Sequence, residues 1–306
     1  MTAPAGASLD TAIELAIAEV ADRAVADPVD GATIPAAEAE RLVAQFHAGS
    51  TRELALLALP VARRLSRPPI SGYRVAAVGI ETETGDLLLG GNLEFPGTEL
   101  GTTIHAEGFV ALRARRRGRA VRTLALRVAH PCAHCRQVLS ESASADGLLL
   151  VDTEGARLHL GDLYPWPFRP ASLGVDGDVP VRVAWPALSI QGAAPRDDVA
   201  RPLLAAGSRA HVPYSGAPSA AVLVTSDGRV VSAGAVESVA FNPSISALQA
   251  ALVELAAAGI DANDVREGWL GCTADALVDP EPGFRALLGT IAPSAHIGVV
   301  RWRADA

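Results

Sequence analysis

His105 and Glu107 stand two residues apart in "HAEGFVALRA", and Cys132 and Cys135 stand three apart in "HPCAHCRQVL". An imidazole, a carboxylate and two thiols at these spacings can build a metal site with a proton carrier beside it. Two cysteines at i and i+3 of a helix start, behind Pro131, can face one point, and the partial positive charge of a helix N-terminus favours their thiolate forms. His105, also near a helix start, adds a nitrogen ligand. Three protein ligands leave the fourth position of a tetrahedral zinc ion open, which is the arrangement of catalytic sites; structural sites use four. Glu107 shares the first turn with His105, lies too far round the helix to ligate beside it, and is placed to reach the open position. Taken alone, the thiols also read as a redox pair or as two core cysteines, and a glutamate at a helix start also reads as a surface charge that complements the dipole. The combination with the upstream histidine favours the metal. His130 and His134 read as ordinary polar residues.

The elements that must position these groups follow from pattern. From residue 8 to about 66 apolar residues recur at helical spacing, and Ser50 with Glu53 reads as a capping box. Next come two β-rich runs around a Thr-Gly-Asp turn, a helix from near Thr103, the strand "VRTLALRVA", a helix from Pro131 and the strand "GLLLVDTEGARLHL". This β-β-α-β-α-β order predicts a sheet with helices packed on its faces. A Pro/Gly-rich connector follows, and then the pattern restarts: "AAVLVTSDGRVVSAGAVESVAF" repeats the hairpin and "SALQAALVELAAAG" the apolar helix. Setting Gly91 against Gly234 and Glu94 against Glu237 places Leu248 opposite His105 and Ala250 opposite Glu107, so the second copy lacks the chemistry. Cys272 reads as a buried structural thiol. The predicted division is a helical segment over 1–50, a metal-bearing domain over 51–185 and a degenerate copy over 190–306.

Composition narrows the function classes. The 306 residues are 49% hydrophobic and 20% charged, which excludes wholesale disorder, and three cysteines give no framework of disulfide pairs. A formal net charge of −8 argues against a nucleic-acid binder, because phosphate affinity is carried by Lys and Arg. The N-terminus has no basic leader, and Asp10, Glu14 and Glu19 interrupt its apolar run, so a cytoplasmic protein with no membrane span is expected.

His-x-Glu followed by Pro-Cys-x-x-Cys is the pattern of the zinc nucleoside and nucleobase deaminases. With "GGNLEF" upstream, a helical preface and a second copy without ligands, the chain resembles the two-domain, homodimeric cytidine deaminase family of bacteria. The resemblance departs at Ala133 and His130, where glycine and threonine are familiar. It implies a duplicated three-layer α/β/α fold with a mixed sheet, one zinc ion per chain held by His105, Cys132 and Cys135, and Glu107 as the catalytic proton carrier. It further implies that Asn92 and Glu94 read the ribose 3'-hydroxyl, that Leu93 lines the same turn, and that Tyr73 faces the pyrimidine. The second copy would stand beside an active site across the homodimer. The implied activity is hydrolytic deamination of cytidine and deoxycytidine in pyrimidine salvage. Chemistry agrees for the sugar, since a carboxylate accepts a hydroxyl proton and an amide both donates and accepts; "GGN" also reads as a tight turn.

Two rivals stand beside this. A polynucleotide deaminase would use "RARRRGRAVR" from Arg113 as a basic patch, but the run crosses a helix end where arginines form an ordinary solvated face, and aromatics for base stacking are only 4% of the chain. A zinc-stabilised scaffold with no enzymatic activity would be indifferent to Glu107.

Overall fold

A computed structural model of the chain describes residues 9–24, 31–127, 130–142, 145–175 and 187–304. By their contacts these residues form two compact units. The first holds the described residues up to Leu93, Ile104–Pro167 and Ala257–Gly259; the second holds Glu94–Thr103, Phe168–Ala256 and Ile260 onward.

In the first unit the preface folds into α1 (Leu9–Ala24), β1 (Thr33–Ile34), α2 (Ala36–Phe46), α3 (Thr51–Leu57) and α4 (Leu59–Ala62). Ser50 caps α3 by accepting from the Glu53 N–H at 3.3 Å, but the Glu53 carboxylate returns to the Gly49 N–H at 2.8 Å, so the box closes one residue earlier than its spacing predicts. Then follow β2 (Ala76–Glu81), β3 (Leu87–Gly91), α5 (Ala106–Arg116), β4 (Val121–Leu126), α6 (Ala133–Ser140), β5 (Leu149–Asp152), β6 (Arg157–His159) and α7 (Leu160–Leu163). The predicted order holds with two additions. The run over 147–160 is a hairpin rather than one strand, because Asp152 Oδ1 accepts from the N–H groups of Glu154 and Ala156 and Gly155 takes φ +92°. The preface also supplies β1, a two-residue edge strand pairing Thr33 with Leu88 and Ile34 with Leu87.

The sheet runs β1-β3-β2-β4-β5-β6. Only the β4–β5 pair is parallel, and α6 makes the crossover that a parallel pair needs. Every residue of β2 is buried, so both faces of the sheet are covered; α3 and α4 pack on β2, as does α5. Helix α5 presents Ala106, Val110 and Ala114 at four-residue spacing to Ala77, Leu88 and Leu124. Val110 fits between two glycines: a Cβ at Gly79 or Gly90 would meet its methyls at 2.4 and 2.7 Å. This close approach sets the first turn of α5 against the end of β3.

The arginine run is not a solvated face. Arg113 is fully buried and donates to the Gly31 carbonyl, burial lowers Arg115 to about 10, and Arg119 pairs with Glu83. Arg117 spans Glu81 at 2.7 Å and Asp86 at 2.6 Å, and Glu81 is wholly buried. Removing one partner of a buried pair costs about 3–5 kcal/mol because the other charge is left uncompensated. Arg117→Met is therefore expected to lower the urea midpoint sharply; a shift within measurement error would show that Glu81 does not depend on it.

The second unit repeats the order: β7 (Leu188–Gln191), α8 (Asp197–Gly207), β8 (Ser219–Thr225), β9 (Val230–Gly234), α9 (Ala247–Ala257), β10 (Val265–Thr273), α10 (Glu281–Ile291) and β11 (His296–Ala304). Its sheet is β7-β11-β10-β8-β9, with β10–β11 the parallel pair. The edge strand beside β11 comes from before the repeat, whereas in the first unit the corresponding edge, β6, comes after it. Trp302 fills the core with its indole N–H on the Pro218 carbonyl at 3.0 Å. Cys272 is buried, as expected, and Arg301 Nη1 lies 3.0 Å from its sulfur.

Candidate metal and proton-transfer site

Both helices that carry the candidate metal donors begin on one of them. His105 is the N-cap of α5 and Cys132 the N-cap of α6, and neither side chain caps its own helix. An N-cap side chain ordinarily turns back to the free N–H groups of the first turn; here the His105 imidazole turns instead to the two sulfurs, while the Cys132 sulfur faces it from beside the His134 and Cys135 N–H groups. Helix α6 starts at Ala133, so Pro131 stands just outside it rather than in its first turn. His105 Nδ1 lies 3.4 Å from the Cys132 sulfur and 3.5 Å from the Cys135 sulfur, and the three donor atoms fall within 4.8 Å of one another. Tetrahedral zinc at ordinary Zn–N and Zn–S lengths would hold nitrogen and sulfur about 3.6 Å apart. The donor set fits.

The electrostatics point the same way. Cys132 is held down at about 4, chiefly by the Cys135 thiol's hydrogen bond and further by the Cys135 and His134 N–H groups and His105, against burial. Cys135 is pushed far up by its bond to Cys132 and by burial, with Glu107 adding to it. Two thiols in contact resist joint ionisation, and a divalent cation bound between them displaces their protons. Glu107, 5% exposed on the first turn of α5, is raised above the usual carboxylate range by burial and contacts Cys135. Arg136 does not serve the thiolates by any bond to them; its Nε and Nη1 donate to the Pro131 and Leu163 carbonyls, bracing the start of α6 against α7. His134 and His130 are exposed, and His130 Nε2 lies 3.8 Å from Asp152.

The turn after β3 is tied to this site through backbone. Leu93 exchanges hydrogen bonds with Ile104, the residue before His105, at 2.8 and 2.9 Å; its side chain is 3% exposed and belongs to the core. Asn92 is buried, and its carboxamide holds the preceding loop: Oδ1 accepts from Ser66 Oγ and from the Val75 N–H at 2.9 Å, while Nδ2 donates to the Tyr73 carbonyl at 3.0 Å. One amide hydrogen remains. Tyr73 projects from that loop, well exposed. Glu94 is half-buried and groups with the second unit. Gly90 and Gly91 keep ordinary φ, so the pair serves close approach rather than a glycine turn. A Cβ on Gly91 would meet the Ser66 nitrogen at 2.4 Å, and one on Gly90 the Ala106 carbonyl at 2.8 Å. Sequence reasoning missed Ser66, whose partner is remote in sequence.

In the second unit the equivalent bridges are His211 to Val236 and Val236 to Ile245, matching Arg67 to Leu93 and Leu93 to Ile104. Ser246, not Leu248, therefore stands opposite His105, and Leu248, not Ala250, opposite Glu107. Ser246 and Gln249 form a reciprocal cap, Gln249 Oε1 accepting from the Ser246 N–H at 3.0 Å and Ser246 Oγ from the Gln249 N–H at 3.3 Å. The helix start that holds a metal donor in one copy is an ordinary capped terminus in the other. Among the described residues, His105, Cys132 and Cys135 are the only cluster of metal-donor side chains.

A three-donor zinc site with a buried carboxylate at its edge, on a mixed sheet repeated once without the donors, places the chain among zinc-dependent deaminases. Comparison with known proteins agrees. Residues 50–149 and 160–280 each match a family model described as the cytidine and deoxycytidylate deaminase zinc-binding region. The chain is 34% identical over 235 residues to a cytidine deaminase of Aliivibrio fischeri, covering 76% of this chain and 75% of that protein. It is 32% identical over 253 residues to one of Vibrio parahaemolyticus, covering 82% and 83%. Cytidine deaminase 1 of Arabidopsis thaliana matches at 33% over 293 residues, covering 87% and 96%. The chain belongs to the cytidine and deoxycytidylate deaminase family, and zinc is its cofactor.

Proposed function

We propose that this protein hydrolyses cytidine and 2'-deoxycytidine to uridine and 2'-deoxyuridine with release of ammonia, in cytoplasmic pyrimidine salvage, as a homodimer. The observation that carries the reading is the buried Glu107 beside the His105, Cys132 and Cys135 donors. Zinc, when bound, supplies a water made acidic enough to act as nucleophile near neutral pH. Glu107 moves the protons: it takes one as the water oxygen attacks C4 and gives it to N3, then takes the second from the new C4 hydroxyl and gives it to the departing amine, so that the C4–N bond breaks, C4=O forms, water is consumed and ammonia leaves. Burial suits the residue to this, because a carboxyl group raised above its usual range both accepts and returns a proton. Loss of absorbance on incubating the zinc-loaded protein with cytidine, with ammonia detected, tests the activity, and light scattering tests the dimer. Among the described residues, no helix is long and apolar enough to cross a membrane.

The sugar is read by the turn over Asn92, Leu93 and Glu94. Glu94 contributes its carboxylate, Leu93 lines the same turn, and Asn92 contributes its one uncommitted amide hydrogen while it fixes the loop that carries Tyr73. Free cytosine is then a poor substrate. Loss of a hydrogen bond to a charged group is worth about 1.5–3 kcal/mol, so Glu94→Ala should lower kcat/KM for cytidine about ten- to a hundredfold. Equal kcat/KM for cytosine and cytidine would remove the sugar from the recognition scheme.

A further inference from the structure

Between Glu53 and Glu81 the chain carries no carboxylate but four arginines, Arg63, Arg64, Arg67 and Arg74, in a protein of formal net charge −8. Arg64 reaches Glu14 at 3.7 Å. Arg67 and Arg74 are exposed, and among the described residues neither has a carboxylate within ion-pair reach. Instead their guanidinium groups converge on a single backbone carbonyl, that of Ser66, with Arg74 Nη1 at 2.7 Å and Arg67 Nη1 at 3.2 Å; Arg67 Nη1 also donates to the Arg64 carbonyl. Two full positive charges share one carbonyl dipole. The Nε and Nη2 groups of both have no partner among the described residues, although each guanidinium carries five donors in a fork that matches an oxyanion.

This pair is built into the turn assigned above to the sugar. The Arg67 N–H donates to the Asn92 carbonyl at 2.7 Å, and Arg74 lies between Tyr73 and Val75, the two residues whose backbone Asn92 holds. The second copy supplies a contrast. Its bridge places His211 opposite Arg67, and the pairing of Ala76 with Gly91 and of Ala220 with Gly234 places Pro218 opposite Arg74. The guanidinium pair occurs only in the copy that has the metal donors, which ties it to the ligand of that site rather than to the stability of the loop.

We infer that Arg67 and Arg74 form an oxyanion site beside the sugar-reading turn that takes a phosphate group, either of a nucleoside 5'-phosphate or as free phosphate. That it lies beside the sugar rests on the function proposed above; the convergence of the two arginines does not. Calorimetric titration of the zinc-loaded protein with UMP, uridine and inorganic phosphate at low ionic strength tests it. UMP is expected to bind about tenfold more tightly than uridine, the lower end of what a charge-assisted contact contributes, and to lose that advantage in the Arg67→Gln, Arg74→Gln double variant. Phosphate that binds the wild type and not the variant, with UMP and uridine equal, keeps the site and makes free phosphate its occupant. UMP and phosphate affinities unchanged by the substitutions overturn it. Arg74→Gln alone serves where the double variant loses zinc, since among the described residues the Arg74 side chain bonds only to the Ser66 carbonyl. A protein that neither binds uridine nor consumes cytidine defeats the deaminase reading, while the phosphate titration still decides this site.

Discussion

Glu107→Gln is expected to fold, to retain its zinc and to lose turnover of cytidine by at least about 100- to 10,000-fold, the range for removal of a general acid–base group. The side chain is 5% exposed and contacts Cys135, so alanine would leave a hole beside a ligand; glutamine keeps the volume and removes only the ability to carry a proton. The loss should appear in kcat more than in KM, because the carboxylate acts on groups that gain or lose protons along the reaction. In the proposed mechanism one residue moves both protons of the water, which places the expected loss toward the top of the range. Alanine and glutamine variants that differ in stability but agree in activity would separate packing from chemistry. A folded, zinc-loaded glutamine variant with near-wild-type turnover would return the chain to the scaffold reading, in which Glu107 is a buried charge without a task.

What could be read from the sequence was local. The Gly85 and Gly228 turns, both at positive φ, announce their hairpins because a glycine between two β-rich runs has one economical use. Cys132 and Cys135 announce a shared focus because three residues on a helix bring side chains to one face. The features that escaped join distant positions: Ser66 with Asn92, Arg117 with Glu81, Arg113 with Gly31. No periodicity relates such pairs, and an arginine-rich helix end has the same composition whether its guanidiniums meet solvent or buried carboxylates. The register of the repeat failed for a related reason. Ile104 follows Leu93 by eleven positions, whereas Ile245 follows Val236 by nine, and only the backbone bridges show where the shortened loop falls. Glycines at 91 and 234 align the hairpins correctly, but that alignment cannot be carried past the loop into the helix. The reading that the second copy lacks donors survives the shift because Ser246 and Leu248 are no more able to build this site than Leu248 and Ala250.

Cys132→Ala should abolish stable zinc binding while Cys272→Ala leaves it intact. Loss of a residue that merely orients a ligand typically weakens metal binding about 10- to 100-fold, and loss of a ligand itself should exceed the upper figure. Among the described residues the geometry offers no replacement: His134 and His130 are exposed, His130 lies toward Asp152, and Glu107 is not a donor in the cluster. With Cys132 gone, two donors of the cluster remain, His105 and Cys135. Cys272 sits in β10 beside Arg301, in the unit whose equivalent helix start is closed by the Ser246–Gln249 cap, so its removal should cost packing alone. Zinc measured by mass spectrometry after dialysis against a chelator decides between these. The wild type should hold one ion per chain, Cys272→Ala one, and Cys132→Ala close to none. Two ions per wild-type chain, or full retention by Cys132→Ala, would mean that the metal is held somewhere other than between the starts of α5 and α6.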